Sequence, residues 1–117
     1  MPNARVTITE TRTAPNYTVQ IQVSPDPISL KGQGNGAVVI QWDIDPGSTQ
    51  GWSFGTSGID IKNPAGHFTH GGAGNGNKRY TWTRDAHGAD GKPYRYTINV
   101  TNGTATMSLD PIIGNDM

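Results

Sequence analysis

The chain has no cysteine, which excludes disulfide staples, thiolate nucleophiles, zinc ribbons and iron–sulfur clusters. Its only glutamate is Glu10, so the glutamate pairs of many glycosidases and the glutamate that closes an EF-hand loop are missing. It contains no apolar run of the roughly 18 residues that a membrane-crossing helix needs. It also lacks an excess of either charge. Nine Lys and Arg against nine Asp and Glu leave a formal net charge of zero, without the electrostatic footprint of a partner for nucleic acid or an anionic membrane. The opening Met1-Pro2-Asn3-Ala4-Arg5 lacks the apolar centre of a secretory signal, and the expectation is either a cytoplasmic protein, the favoured option, or one from which a leader has been removed. Apolar residues make up only 32% of the 117 positions, enough for one core and therefore one domain spanning residues 1–117.

What is present is alternation. From Ala37 to Ile44, Val38, Ile40, Trp42 and Ile44 share one parity. From Tyr94 to Val100, Tyr94, Tyr96, Ile98 and Val100 do the same against Arg95, Thr97 and Asn99. A period of two marks strands with one wet and one buried face. Val6 and Ile8, then Tyr17, Val19, Ile21 and Val23, repeat it on either side of Ala14-Pro15-Asn16 and predict two strands joined by a turn. Tyr80 and Trp82 place a further strand over Lys78 to Arg84. Asn102-Gly103 is the strongest hairpin signal and leads into a last strand with Ala105, Met107 and Leu109. Gly51 to Phe54 and Gly58 to Ile61 read as short pairing segments, and the glycine-rich stretch from Asn63 to Asn77 reads as a long loop without apolar period. Pro25-Asp26-Pro27-Ile28 is echoed by Leu109-Asp110-Pro111-Ile112, either by chance or as two equivalent corners. Many short strands with frequent turns predict an all-β domain, an antiparallel two-sheet Greek-key β-sandwich.

Pro27-Ile28-Ser29-Leu30-Lys31-Gly32, the strand ending in Trp42, Tyr94-Arg95-Tyr96 and the closing Ala105 to Leu109 together resemble the cupredoxin-like pattern. The resemblance implies a cupredoxin-like sandwich, with an immunoglobulin-like one as the neighbouring option. In copper-carrying members the segment after the tyrosine strand supplies a cysteine, a histidine and a methionine. Here it reads Asn99-Val100-Thr101-Asn102-Gly103, with Met107 the remaining echo. Blue copper requires the thiolate, so what the resemblance implies is the frame without type 1 electron transfer.

Candidate sites are few. His67 and His70 lie three apart and His87 sits in another loop. Neutral imidazole is a common ligand of copper, zinc and nickel, and the alternative is three unrelated surface histidines, because strand positions three apart face opposite ways. Asp85 to Gly91 carries oxygen donors among glycines, yet has neither EF-hand spacing nor stacked calcium repeats. Lys78, Arg79, Arg84, Lys92 and Arg95 outnumber Asp85 and Asp90, which fits a solvated sheet edge or an anion-binding face. Trp52 and Phe54 either cap one end of the sandwich or form a stacking platform for a glycan or protein. Serine, threonine and histidine occur in the middle segment without a nucleophile elbow, and no catalytic group is assigned.

The expectation is a non-enzymatic binding or protein-interaction module without a cofactor. Its surface would be built from Trp52, Phe54, His67, Phe68 and His70, with Arg79 and Arg84 on an adjacent edge and a homodimer formed through an edge strand. The alternatives are a histidine-based metal-binding protein and a carbohydrate-binding module, with neither nucleic acid nor membrane as partner.

Overall fold

A computed structural model describes residues 2–13 and 16–116. Among these residues ten strands follow one another: β1 (Asn3–Thr13), β2 (Asn16–Ser24), β3 (Ile28–Ser29), β4 (Val38–Ile44), β5 (Ser53–Ile61), β6 (Phe68–Gly74), β7 (Arg79–Arg84), β8 (Pro93–Thr101), β9 (Thr106–Leu109) and β10 (Ile112–Gly114). The Ala14-Pro15 turn expected between the first two lies outside the described residues. Among the described residues no helix is long and apolar enough to cross a membrane.

The strands make two sheets. The first runs β2-β1-β4-β7-β6, and the second runs β3-β10-β8-β5 with β9 also paired to β8. Neither sheet is purely antiparallel, contrary to the sequence expectation: β1 runs parallel to β4, and β3 parallel to β10. Alternation reports which face of a strand is buried, and both pairings bury the same face, so the pattern was blind to direction. The parallel pair β3–β10 brings the two Asp-Pro-Ile segments side by side, with Ile113 opposite Ile28.

Both sheets supply one core. Trp42 on β4 and Tyr96 on β8 are fully buried, their rings 5.3 Å apart, and the indole N–H donates to the Tyr96 hydroxyl at 3.2 Å. Trp82 on β7 donates its N–H to the carbonyl of Ile59 on β5 at 2.8 Å. The edge of the Tyr80 ring meets Phe54 at 5.8 Å. Aromatic side chains with polar tips suit these positions, because each buries a large ring and still finds a partner for its one polar atom. Ile40 and Ile98 are completely inaccessible, as the period of two requires.

The middle of the chain departs furthest from expectation. Ser53–Ile61 is a single strand, irregular between Phe54 and Ile59 where it pairs with β8. The stretch read as a structureless loop contains β6, which pairs with β7 along its whole length and slips register between His70 and Gly72. Only Phe68 of β6 is buried, so backbone pairing holds the strand and leaves no apolar period to read. Gly71 makes this pairing feasible: a Cβ there would stand 2.6 Å from the Thr81 carbonyl oxygen. The Asn102-Gly103 signal does produce a hairpin between β8 and β9, in which Gly103 takes a φ of 92° and the Asn102 side chain accepts from the backbone of Thr104 and Ala105 at 2.9 and 2.7 Å. The chain continues beyond the expected last strand into β10.

Candidate functional site

A cleft with organised polar chemistry lies where the segment before β6, the β7–β8 connection and the start of β8 converge. Local chemistry builds each wall. The Pro64 carbonyl accepts from the backbone N–H of His67 and Phe68 at 2.9 and 2.8 Å, and Gly66 turns there with a φ of 81°. The His67 carbonyl then accepts from Asp85 N–H at 2.9 Å, which ties this turn to the end of β7. Gly88 sits so tightly that a Cβ would fall 2.9 Å from the Asp85 carbonyl and 3.0 Å from that of His67. Only glycine fits there.

The Gly88 carbonyl is the hub of the site. It meets His67 Nδ1 at 2.8 Å and accepts from the Asn115 amide at 2.8 Å. A carbonyl can only accept, so Nδ1 carries the ring hydrogen and Nε2 is turned to Asp90 Oδ2 at 3.7 Å. That same carboxylate oxygen accepts from the Tyr94 hydroxyl at 2.6 Å, while Oδ1 accepts from Lys92 N–H and the Asn115 amide, each at 3.1 Å. Burial by itself raises the Asp90 pKa. It is outweighed by the hydrogen bonds from Tyr94, Lys92 and Asn115 and by His67 nearby, so the carboxyl lies below its ordinary 3.8. Burial, together with the bond to Asp90, pushes the Tyr94 hydroxyl up from 10.0 to about 12.

Behind the hub lies the buried guanidinium of Arg84. Arg84 and Asn115 are the two polar side chains fully buried among the described residues, and they touch: Arg84 donates to Asn115 Oδ1 at 3.2 Å. It also donates to the backbone carbonyls of Asp116 at 3.0 Å, Gly34 at 2.6 Å and Gly36 at 3.1 Å, while its Nε has no partner among the described residues. One side chain thus holds the glycine turn before β4 and the segment after β10 against β7. The line Arg84–Asn115–Asp90–Tyr94 fixes the cleft floor from behind.

In front of this floor opens a cleft of about 560 Å³ lined by His67, Asp90 and Tyr94, with Lys62, Lys92 and Arg95 around it. Lys62 pairs with Asp60 at 3.0 Å. Neither Lys92 nor Arg95, both exposed, has an ion pair among the described residues. The His67 and Phe68 rings stand 5.6 and 5.0 Å from that of Tyr94.

The structure disperses the other residues singled out from sequence. His70 Nε2 bonds the Tyr80 hydroxyl at 2.5 Å, and His87 Nδ1 meets the Asn35 amide at 2.8 Å. With His67 committed to Gly88 and Asp90, the three histidines serve three separate places, and no group of three or more His, Cys, Asp or Glu among the described residues could hold a metal. Trp52, Phe54, Phe68 and Arg84 are buried, which corrects the surface built from them. Trp52 in particular is sealed, its N–H donating to Glu10 at 3.0 Å and its carbonyl accepting from the Lys78 ammonium, so it has no open ring face for stacking. Arg79 is exposed and pairs with Asp43 at 2.9 Å. Desolvation raises the Asp43 pKa, but the bonds from Arg79 and Gln41 outweigh it and hold the carboxyl below its ordinary value.

Sequence reasoning found His67 and the basic stretch ending at Arg95, and it read Asp85 to Gly91 as a flexible connection after setting a calcium loop aside. It missed the pairing of Asp90 with Tyr94, and it missed Asn115. Tyr94 shares the inward parity of Tyr96 and so read as core, and nothing in the local sequence of Asn115 distinguishes it from a polar tail. In comparisons with known proteins, no family model matches the chain and no curated sequence is a significant match.

Proposed function

We propose that the protein is a non-enzymatic binding module that receives an anionic group, a carboxylate or phosphate, in the cleft between His67 and Arg95. The observation that carries this reading is the placement of Lys62, Lys92 and Arg95 around one cleft whose floor is already fixed by the Asp90, Tyr94 and Asn115 bonds. A preorganised floor lowers the entropic cost of binding, and a guanidinium beside an ammonium suits a planar or tetrahedral anion. The Asp90 carboxylate, saturated by its donors, is spent on structure. The lining offers no serine, threonine or cysteine nucleophile among the described residues, which favours binding over turnover. For the scaffold we keep the Greek-key sandwich of cupredoxin-like or immunoglobulin-like kind, supported by the single core that both sheets share.

The test is a titration with citrate, inorganic phosphate and a uronate oligosaccharide at low salt, followed through the amide resonances of Lys92 to Arg95. Saturable shifts are expected for at least one of them, weakening with added salt. A Lys92→Ala, Arg95→Ala double substitution should weaken binding about tenfold. Absence of binding by all three probes, or affinity unchanged in the double variant, overturns the reading.

A further inference from the structure

Strand β2 forms one edge of the first sheet, bonded to β1 on one side and, among the described residues, to no strand on the other. Proteins commonly blunt such an edge with lysine, proline, a bulge or a covering loop. Asn16–Ser24 contains no proline and no charged residue, and its register with β1 runs without a shift from Arg5↔Ser24 to Thr13↔Asn16. Its alternation is regular: Val19, Ile21 and Val23 are half-buried and pack on the core margin, while Thr18, Gln20, Gln22 and Ser24 are exposed. Beside the strand opens a hollow of about 440 Å³, lined by Ile21 and Val23 together with Leu109 of β9 and Asp26.

We infer that β2 pairs antiparallel with β2 of a second copy of this chain, about a two-fold axis at Ile21. The symmetry of the strand itself argues for this occupant. Turned about Ile21, the segment Thr18–Ser24 matches its own pattern: Ile21 lies opposite Ile21, Val19 opposite Val23, Gln20 opposite Gln22, and Thr18 opposite Ser24. Directly opposed residues of an antiparallel pair share a face, so every apolar side chain of one copy meets an apolar one of the other on the core side. The unpaired backbone N–H and C=O groups of both edges are satisfied together, and the valine and isoleucine side chains of the second strand come to lie on the same side as the hollow by Leu109. Because the segment carries no charge, its symmetric copy is not repelled. The contact is isologous and closes as a dimer, joining two five-stranded sheets into one continuous sheet. This inference does not depend on the cleft reading, since the paired edge is built from β2 and the cleft from the segment before β6, the β7–β8 connection and the start of β8.

The test uses the whole chain and substitutes only exposed positions. Sedimentation equilibrium of the native protein should give twice the chain mass at millimolar concentration and dissociate on dilution. Gln20→Lys with Gln22→Lys places like charges opposite one another twice across the axis and should raise the dissociation constant at least about tenfold. Gln20→Lys with Gln22→Glu places opposite charges there and should restore or tighten the dimer. A native protein that stays monomeric at millimolar concentration overturns the proposal, as does a dimer equally tight in both double variants. Unchanged circular dichroism of each variant shows that the fold is intact.

Discussion

The two edges of the first sheet are built on opposite plans. At one end β2 is β-branched, regular and bare, and its alternation was readable directly from sequence. At the other end β6 is glycine-rich, slips register between His70 and Gly72, and buries only Phe68. A bulge and glycines spoil the regular row of donors and acceptors that another strand would need. The edge hardest to recognise in the sequence is therefore the protected one, and the edge easiest to recognise is open. The cleft lies at the β6 end, where irregular backbone turns its carbonyl groups, above all that of Gly88, toward side chains rather than toward a ladder.

Substitutions can break this contrast, and the largest effect should come from Arg84. Arg84→Ala leaves the carbonyls of Gly34, Gly36 and Asp116 and the Asn115 side chain without their donor. It should cost about 3 kcal/mol or more in urea denaturation and loosen the Asp90 floor, seen as loss of the hydrogen-exchange protection of the Asp90 and Gly91 amides. Next comes Gly71→Val, which drives a side chain against Thr81 and should cost about 1 to 3 kcal/mol. The same substitution in an ordinary edge strand should be neutral or helpful.

A smaller effect is expected from titration. A carboxyl whose folded pKa is depressed stabilises the fold above its unfolded value and loses that contribution as pH falls through the folded value, so Asp90 and Asp43 should make the protein weaker below about pH 4. A hydroxyl whose folded pKa is raised stabilises the fold fully below its unfolded value and loses this as pH rises. Stability should therefore decline between pH 10 and about 12 through Tyr94, with buried Tyr96 and Tyr80 shifted in the same direction. Tyr94→Phe should shrink the alkaline loss and Asp90→Asn the acid loss in chemical-denaturation series across pH; slopes identical to the native protein would remove the Asp90–Tyr94 bond from the account. The smallest effect on the monomer should come from Gln20→Lys, within about 0.5 kcal/mol in thermal melts, since it alters the open edge without touching the core.

Part of the candidate site was legible. His67 stood out as a titratable side chain near a glycine-rich segment, and Lys92 and Arg95 as part of a local cationic excess. What joins them was not legible, because the contacts of the cleft span wide gaps in the chain: His67 reaches Gly88, Asn115 reaches back to Gly88 and Asp90, and Arg84 reaches the turn at Gly34. Hydrogen bonds of this kind leave no period in the sequence, and a buried arginine looks like any surface arginine until its surroundings close over it. Trp52 shows the converse: it read either as a cap on one end of the sandwich or as a stacking platform, and its complete burial, with the indole N–H donating to Glu10, decided for the buried place.

By itself the sequence determined that this chain folds into strands around one aromatic and aliphatic core, because alternation at period two states which side chains leave water. It also ruled out thiolate chemistry, because the required atom is missing. The tertiary structure alone decided which strands run parallel, that a glycine-rich stretch forms the edge strand β6, and that Asp90, Tyr94, Asn115 and Arg84 form one hydrogen-bonded floor. The physical reason is that burial pattern is a property of each segment, whereas strand direction and polar pairing belong to residues brought together only when distant segments meet.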